Sequence, residues 1–129
     1  MRLNPDCIRD ILLQTEKGFF ILPNRAKIQE MSFENLEFLK NYSSIEIFYH
    51  INQCEMMNFI LSSENLKETT IYDLTPDGHS FLADIRNNTV WNKTKSTAKE
   101  LGISSLRGFK DIAVNIVATL ITNKFTGGK

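Results

Sequence analysis

LTPDGH, at residues 74–79, is the clearest helix start in this chain. Its threonine can cap free backbone amides, its proline fits the first helical turn, and its aspartate favours the positive end of the helix dipole. Upstream, apolar spacing predicts a helix over Ile45–Met57, and the β-prone runs Phe59–Leu61 and Thr69–Tyr72 predict a hairpin with a polar tip at Ser62–Glu68. Residues 45–86 therefore predict helix, hairpin and helix, which is the order of a winged helix-turn-helix domain.

The N-terminal segment predicts another helix and a short strand. The tripeptide at residues 4–6, Asn-Pro-Asp, repeats the cap, proline and acid pattern and predicts a helix to about Lys17 that Gly18 ends. The short apolar run Phe19–Leu22 would be buried if it formed a small strand pairing with the hairpin. The expected fold class is therefore α+β, mostly helical.

Serines mark the next two helix starts. Ser32 can cap a helix that ends near Asn41, and Ser43 or Ser44 can cap the helix over residues 45–57. In that later helix an inward stripe of Ile47, Ile51 and Cys54, flanked by Phe48, predicts a buried side. The residues left outward are a candidate interaction face: Glu46, Tyr49, His50 and Gln53.

Two more helices follow the winged-helix pattern. Val90–Leu101 predicts a basic helix that Gly102 stops, because glycine tolerates a left-handed helix end. Ser104 or Ser105 begins a final helix. The chain thus predicts a winged-helix domain over residues 1–88 and a helical extension over residues 89–125, packed on that domain or on a second subunit.

The final helix carries a candidate dimer seam, whose apolar residues recur at alternating spacings of three and four: Leu106, Phe109, Ala113, Ile116 and Leu120. Five positions span about two heptads, fewer than the three or four that identify a coiled coil. The seam can therefore serve a homodimer or pack against the protein's own first helix.

Composition favours one globular core and a cytoplasmic protein. The chain has 129 residues, of which 42% are apolar and 10% aromatic. No cationic segment followed by an uninterrupted apolar run opens it, so neither a secretory signal nor a membrane span is expected. Cys7 and Cys54 lack short-spaced partners, which favours two buried free thiols over a disulfide or zinc site. We expect no metal and no cofactor.

No sequence motif indicates an enzymatic function. The chain has no phosphate-cradling glycine motif, nucleophile elbow or His-Glu-x-x-His metal pair. His79 lies beside Ser80 and near Asp77, but neighbours on one helical turn cannot form a catalytic relay by themselves. We expect a protein without enzymatic activity.

Charge is divided along the chain although the total is zero. Residues 28–85 contain ten acidic and two basic side chains, which is a net charge of −8. Residues 86–129 contain eight basic and two acidic side chains, which is a net charge of +6. Residues 1–27 contribute the remaining +2. Lysine and arginine supply most non-specific affinity for DNA, and the helix over residues 45–57 contains none. This distribution argues against DNA binding by that helix.

The extension's lysines leave two interpretations open. Lys95 and Lys99 are four residues apart on one helix face, with Lys93 nearby and Trp91 one turn before Lys95. They could hold phosphates beside an aromatic ring, or they could form an ordinary solvated face whose tryptophan anchors the helix. The second is favoured, because a single large aromatic residue is usually packed.

Several segments resemble a known family: MRLNPDCIRDIL at 1–12, YHI at 49–51, LTPDGH at 74–79 with Phe81 and Leu82, and VWNKTK at 90–95. Together they resemble an uncharacterised bacterial and phage family, a domain of unknown function that is frequent in prophages and similar to winged-helix proteins. The resemblance covers about residues 1–101. It implies the fold and a mobile-element setting, and it carries no catalytic residues.

The sequence therefore predicts a non-enzymatic, phage-associated interaction protein. Its acidic winged-helix half would dock onto a basic partner protein or onto its own basic extension. The alternative is a DNA-binding transcriptional regulator in which Gln53 and His50 read bases while Lys93, Lys95 and Lys99 hold phosphates.

Overall fold

The computed structural model describes residues 1–24, 37 and 40–125. Its elements are α1 (Pro5–Lys17), β1 (Phe20–Pro23), α2 (Ser44–Met56), β2 (Ile60–Glu64), β3 (Glu68–Leu74), α3 (Pro76–Ile85), α4 (Asn88–Leu101) and α5 (Leu106–Phe125). This order confirms an α+β, mostly helical fold. The helix expected from Ser32 to about Asn41 lies almost entirely outside the described residues.

Helix ends follow the capping residues. The Asn4 side chain accepts a hydrogen bond from the Asp6 backbone amide at 3.2 Å, and Ser43 does the same for Glu46 at 3.1 Å. Gly102 ends α4 in the left-handed conformation with φ 70°. Gly18 ends α1 in an extended conformation instead, so a left-handed end is not needed there.

The three strands form one antiparallel sheet in the order β1-β3-β2. Phe20 lies opposite Ile71 and Leu22 opposite Thr69, which confirms that the Phe19–Leu22 run pairs with the hairpin. Side chains alternate across β1, with Phe20 and Leu22 buried and Ile21 exposed. This alternation buries one face of the sheet.

The hairpin tip is shorter than predicted. Both strands continue into the polar tract, so the turn contains only Asn65, Leu66 and Lys67. The Asn65 side chain accepts from the backbone amides of Lys67 and Glu68 at 2.8 and 2.9 Å, and the Thr69 hydroxyl donates to Glu64 at 2.7 Å. The prediction of a tip over Ser62–Glu68 was wrong because these bonds close a tight turn within a polar segment.

The chain divides into two compact units, Met1–His79 and Ser80–Lys129. In the first, α1 packs against β3 and α2, and the buried residues of α1 include Cys7, Ile8, Ile11 and Leu12. In the second, α4 packs against α5, where the rings of Trp91 and Phe109 have centroids 6.2 Å apart. The domain boundary expected at residues 88–89 stays a prediction.

Gly78 holds the first turn of α3 against the loop that follows α2. Its amide donates to the Thr75 hydroxyl oxygen at 3.0 Å, and the Thr75 amide donates to the Phe59 carbonyl at 3.0 Å. A Cβ at Gly78 would lie 2.0 Å from that carbonyl oxygen. Glycine is therefore required here for close backbone approach rather than for an unusual φ.

We expect Gly78→Ala to lower the free energy of unfolding by at least about 2 kcal/mol, because backbone must move to admit the methyl group. Gly18→Ala is the matched control, since nothing lies within 4 Å of its Cβ position, and it should change stability by less than about 0.5 kcal/mol. Urea unfolding of both variants measures this. Equal stability of the two variants would contradict the close approach at residue 78.

Candidate functional site

His50 is a core residue rather than part of an outward face. Its side chain is fully buried, the backbone amide of Asn4 donates to Nε2 at 2.7 Å, and Nδ1 lies 2.7 Å from the Glu46 carbonyl oxygen. Because Nε2 accepts a hydrogen bond, Nδ1 carries the proton and donates. The prediction that His50 points outward was wrong: it follows Ile47 by three residues and precedes Cys54 by four, which places it on the apolar side of α2.

Burial lowers the pKa of His50 below 6.5, and the hydrogen bond to the Glu46 carbonyl and the Glu46 charge oppose that shift only in part. The ring is therefore neutral at pH 7. With both ring nitrogens engaged, His50 has no lone pair free for a metal ion. Among the described residues, no group of three or more His, Cys, Asp or Glu could hold a metal ion.

The two thiols are buried and free, as predicted. Burial raises the pKa of Cys7 to about 12 and raises that of Cys54 as well. Since the thiolate is the reactive form, neither sulfur is arranged as a nucleophile.

The acidic side chains of α2 contact neighbouring segments. Glu46 Oε2 accepts from the Asn4 side-chain amide at 3.4 Å, and Glu55 Oε2 accepts from the Ser62 hydroxyl. Both residues are half-buried. Their carboxylates therefore border the solvent face of α2 and do not form its centre.

We define the α2 outer face as Ile45, Tyr49, Asn52 and Met56, which recur at spacings of four, three and four. Ile45 is 59% exposed and Met56 is 65% exposed, Asn52 is exposed, and Tyr49 is half-buried with its ring edge-to-face on His50. Of the residues predicted for this surface, only Tyr49 is central to it. Glu46 and Gln53 are half-buried at its edge, and His50 does not belong to it.

Sequence reasoning missed Ile45 and Met56 because they stand at the two ends of the helix, where an apolar residue resembles part of the core stripe. Their exposure could have been predicted from their angular position around the helix. They are eleven residues apart, just over three full turns, and therefore share one face. That face is opposite the stripe formed by Ile47, Ile51 and Cys54.

Other apolar side chains of the first unit are also exposed. Ile21, Leu61 and Tyr72 lie in the sheet, Phe19 precedes β1, and Leu66 at the hairpin tip is 89% exposed. The described part of this unit therefore presents apolar groups on more than one element.

The lysines of α4 differ in their surroundings. Lys93 and Lys99 are exposed, whereas Lys95 is half-buried with its Nζ 5.6 Å from the centroid of the Trp91 ring. Trp91 is buried and packs near Phe109, so its ring cannot stack on a nucleic-acid base. This arrangement supports the interpretation of Trp91 as the anchor of α4.

The five seam residues of α5 fall into two groups. Leu106, Phe109 and Ala113 are buried within the chain, whereas Ile116 is half-buried and Leu120 is exposed. Only the C-terminal part of the seam is therefore open to another molecule.

Comparison with known proteins adds a family to this geometry. Residues 2–104 match a family model described as "Hypothetical protein (DUF2513)". The chain belongs to this family. The DUF2513 match covers every described element from α1 to α4 and stops just before α5, and it confirms the resemblance to a domain of unknown function.

A curated relative extends the likeness over nearly the whole chain. An uncharacterized protein of Haemophilus influenzae is 29% identical to this chain over an alignment of 130 residues. The alignment covers 94% of this chain and 99% of the relative. No solved structure matches the chain. No helix of the described residues is long and apolar enough to cross a membrane.

The buried histidine makes stability depend on pH. Since the pKa of folded His50 lies below its usual 6.5, its neutral form contributes stability that is complete above pH 6.5 and is lost as pH falls toward the folded pKa. We expect the unfolding free energy to fall more steeply from pH 7 to about pH 5 in the wild type than in His50→Gln. His79→Gln, at an exposed position, is the control and should keep the wild-type slope. Equal slopes in wild type and His50→Gln would contradict a buried neutral ring.

Proposed function

We propose that this chain is a non-enzymatic protein-interaction module of winged-helix architecture whose docking surface is the α2 outer face. Two observations support the architecture: a β-hairpin follows α2, and the hairpin's second strand pairs with a short strand that follows α1. In that arrangement α2 occupies the position of a recognition helix. The sequence resemblance to a prophage-frequent family supports a phage-associated setting.

The observation that carries the proposal is the chemistry of the α2 outer face. It presents isoleucine, tyrosine, asparagine and methionine, and α2 contains no lysine or arginine. Tyrosine and methionine are enriched at the centres of protein interfaces, and methionine adapts its shape to a partner. A polyanion would find no cation on this helix to replace its counterions.

The surrounding charge indicates the kind of partner. Residues 28–85 carry a net charge of −8. A partner with an apolar patch bordered by lysine and arginine would match both the α2 outer face and this charge. Such complementarity would speed association and would weaken as salt is added.

A DNA-binding regulator is the second candidate, and the exposed Lys93 and Lys99 favour it. Residues 86–129 carry a net charge of +6, so phosphate contacts through α4 are electrostatically sound. The base-reading part of that hypothesis is weaker than the sequence suggested. His50 is buried, so only the half-buried Gln53 remains of the two predicted readers, although the exposed Asn52 offers a second side-chain amide on α2.

Affinity capture from a host lysate, quantified by mass spectrometry, tests the protein-interaction proposal with three baits. These are the wild type, the double variant Ile45→Glu/Met56→Glu, and Leu66→Glu, which places one glutamate on an exposed apolar side chain of the hairpin tip. We expect a specific protein to be retained by the wild type and by Leu66→Glu and lost from the double variant, because a buried charge disrupts an apolar contact. Identical retention by all three baits would contradict the α2 outer face.

Titration of mixed-sequence duplex DNA at low salt separates the two candidates. We expect no binding at tens of micromolar protein by the wild type or by a variant with Lys93, Lys95 and Lys99 changed to glutamine. Binding that needs these lysines and falls steeply with salt would favour the regulator.

A further inference from the structure

The C-terminal part of α5 has almost no charge and is mostly exposed. Between Asp111 and Lys124 the sequence IAVNIVATLITN contains no charged residue, although charged residues make up 23% of the chain. The last fully buried position is Ala113, and the helix continues for twelve residues beyond it, to Phe125. A helical segment of this length is marginal without packing, so its apolar side needs a partner surface.

A groove runs beside this segment within the second unit. Its volume is about 370 Å³, and apolar and polar side chains both line it: Leu101, Ile112, Ile116 and Leu120, with Lys93, Thr97, Asn115, Thr119 and Asn123. Leu101 is largely exposed and Leu120 is 47% exposed. Next to the groove, Val117, Ile121 and Phe125 extend the apolar side of α5 as a ridge at spacings of four.

We propose that a second copy of this chain covers this surface, with the C-terminal part of α5 packed against its counterpart around a two-fold axis. A two-fold interface uses the same patch on both subunits, so the patch must be complementary to itself. Here each copy offers a ridge and a groove on adjoining sides of one helix. The ridge of one copy can enter the groove of the other, and the reverse contact is then made by symmetry.

The charge distribution favours a second copy of this chain as the molecule that covers this surface. The segment between Asp111 and Lys124 brings no charges to the contact, so the charges near it are Lys93 on the groove wall and Lys124 at the helix end, and the zero formal net charge of the chain means that no overall repulsion opposes association. A partner recognised by charge would find nothing to bind between Asp111 and Lys124. A lipid surface is also a poor match, because interfacial helices carry lysine and arginine on their polar side. The polar residues of this segment are all neutral: Asn115, Thr119 and Asn123, which line the groove, and Thr122.

The expected strength of the dimer follows from the size of the contact between the two helices. Residues 114–125 extend about 18 Å at 1.5 Å per residue. Two helix faces of that length bury less than the roughly 800 Å² per partner of a standard interface. We therefore expect a weak dimer that dissociates on dilution. Of the five seam residues expected from sequence, Leu106, Phe109 and Ala113 are buried within one chain, which leaves Ile116 and Leu120 for the dimer contact.

This inference goes beyond the proposed interaction role and concerns residues of α4 and α5, not the α2 outer face. The dimer and the α2 docking surface can therefore be contradicted independently of each other. A monomeric protein whose α2 outer face captures a partner would remove only the dimer. A dimer whose α2 outer face captures nothing would remove only the docking surface.

Sedimentation velocity of the full chain over about 5–500 µM tests the dimer with a matched pair of variants. Leu120→Glu places a charge on the seam, and Thr122→Glu places the same charge two residues away on the other side of the helix. Both positions are exposed, and circular dichroism verifies that both variants keep the wild-type helix content. We expect Leu120→Glu to raise the dissociation constant more than about tenfold and Thr122→Glu to change it less than about twofold.

Three outcomes would overturn the proposal: a wild type that remains monomeric throughout this range, equal effects of the two substitutions, or a dimer that Leu120→Glu leaves intact. If the Leu120→Glu variant loses helix content, Leu120→Gln replaces it. That uncharged substitution should weaken the dimer less than glutamate and more than Thr122→Gln, and any other order would overturn the proposal as well.

Discussion

The hydrogen bonds of His50 set the rotation of α2, and the exposed surface of that helix depends on them. Its ring lies between the backbone amide of Asn4, at the start of α1, and the carbonyl of Glu46 within α2. A buried imidazole must satisfy both nitrogens, and only a neutral ring can accept at one while donating at the other. Rotation of α2 away from this position would leave the ring and the Asn4 amide without these partners.

With His50 inward, the opposite side of α2 is determined by helical phase. Ile45, Tyr49, Asn52 and Met56 form that side, and Glu46 and Glu55 lie at its borders in contact with Asn4 and Ser62. The helix that would read DNA in a winged-helix protein thus presents an apolar, uncharged centre. The lysines and arginines of the chain lie outside α2, and six of the fifteen are on α4 and α5. Two side-chain amides, the exposed Asn52 and the half-buried Gln53, are the groups on α2 that could contact a base edge.

Local rules predicted most of the fold. Asn4, Ser43 and Gly102 mark helix ends because each acts on backbone atoms within a few residues, and such effects can be recognised in sequence. The pairing of β1 with the hairpin followed from the need to bury a short apolar run. The extent of the hairpin tip did not, because Asn65 closes the turn through side-chain bonds that polar composition alone does not reveal. Gly78 was also missed, since its requirement comes from the Phe59 carbonyl nineteen residues away.

The candidate surfaces were harder to predict than the fold because exposure depends on tertiary packing. His50 was placed outside because it is polar, although its phase places it with Ile47 and Cys54. The seam of α5 was continuous in sequence and is divided in the structure, because packing within the second unit buries Phe109 and Ala113 while Leu120 remains exposed. Periodicity identifies the apolar side of a helix. It cannot show how much of that side the rest of the chain covers.

The rotation of α2 is tested most directly by the tautomer and titration of His50, measured by two-bond ¹H–¹⁵N NMR correlation of the histidine rings. The structure requires a neutral ring protonated at Nδ1 at pH 7, with a midpoint below 6.5. His50→Gln identifies the signal. A ring protonated at Nε2, or a midpoint at or above 6.5, would contradict the buried position of His50 and with it the α2 outer face.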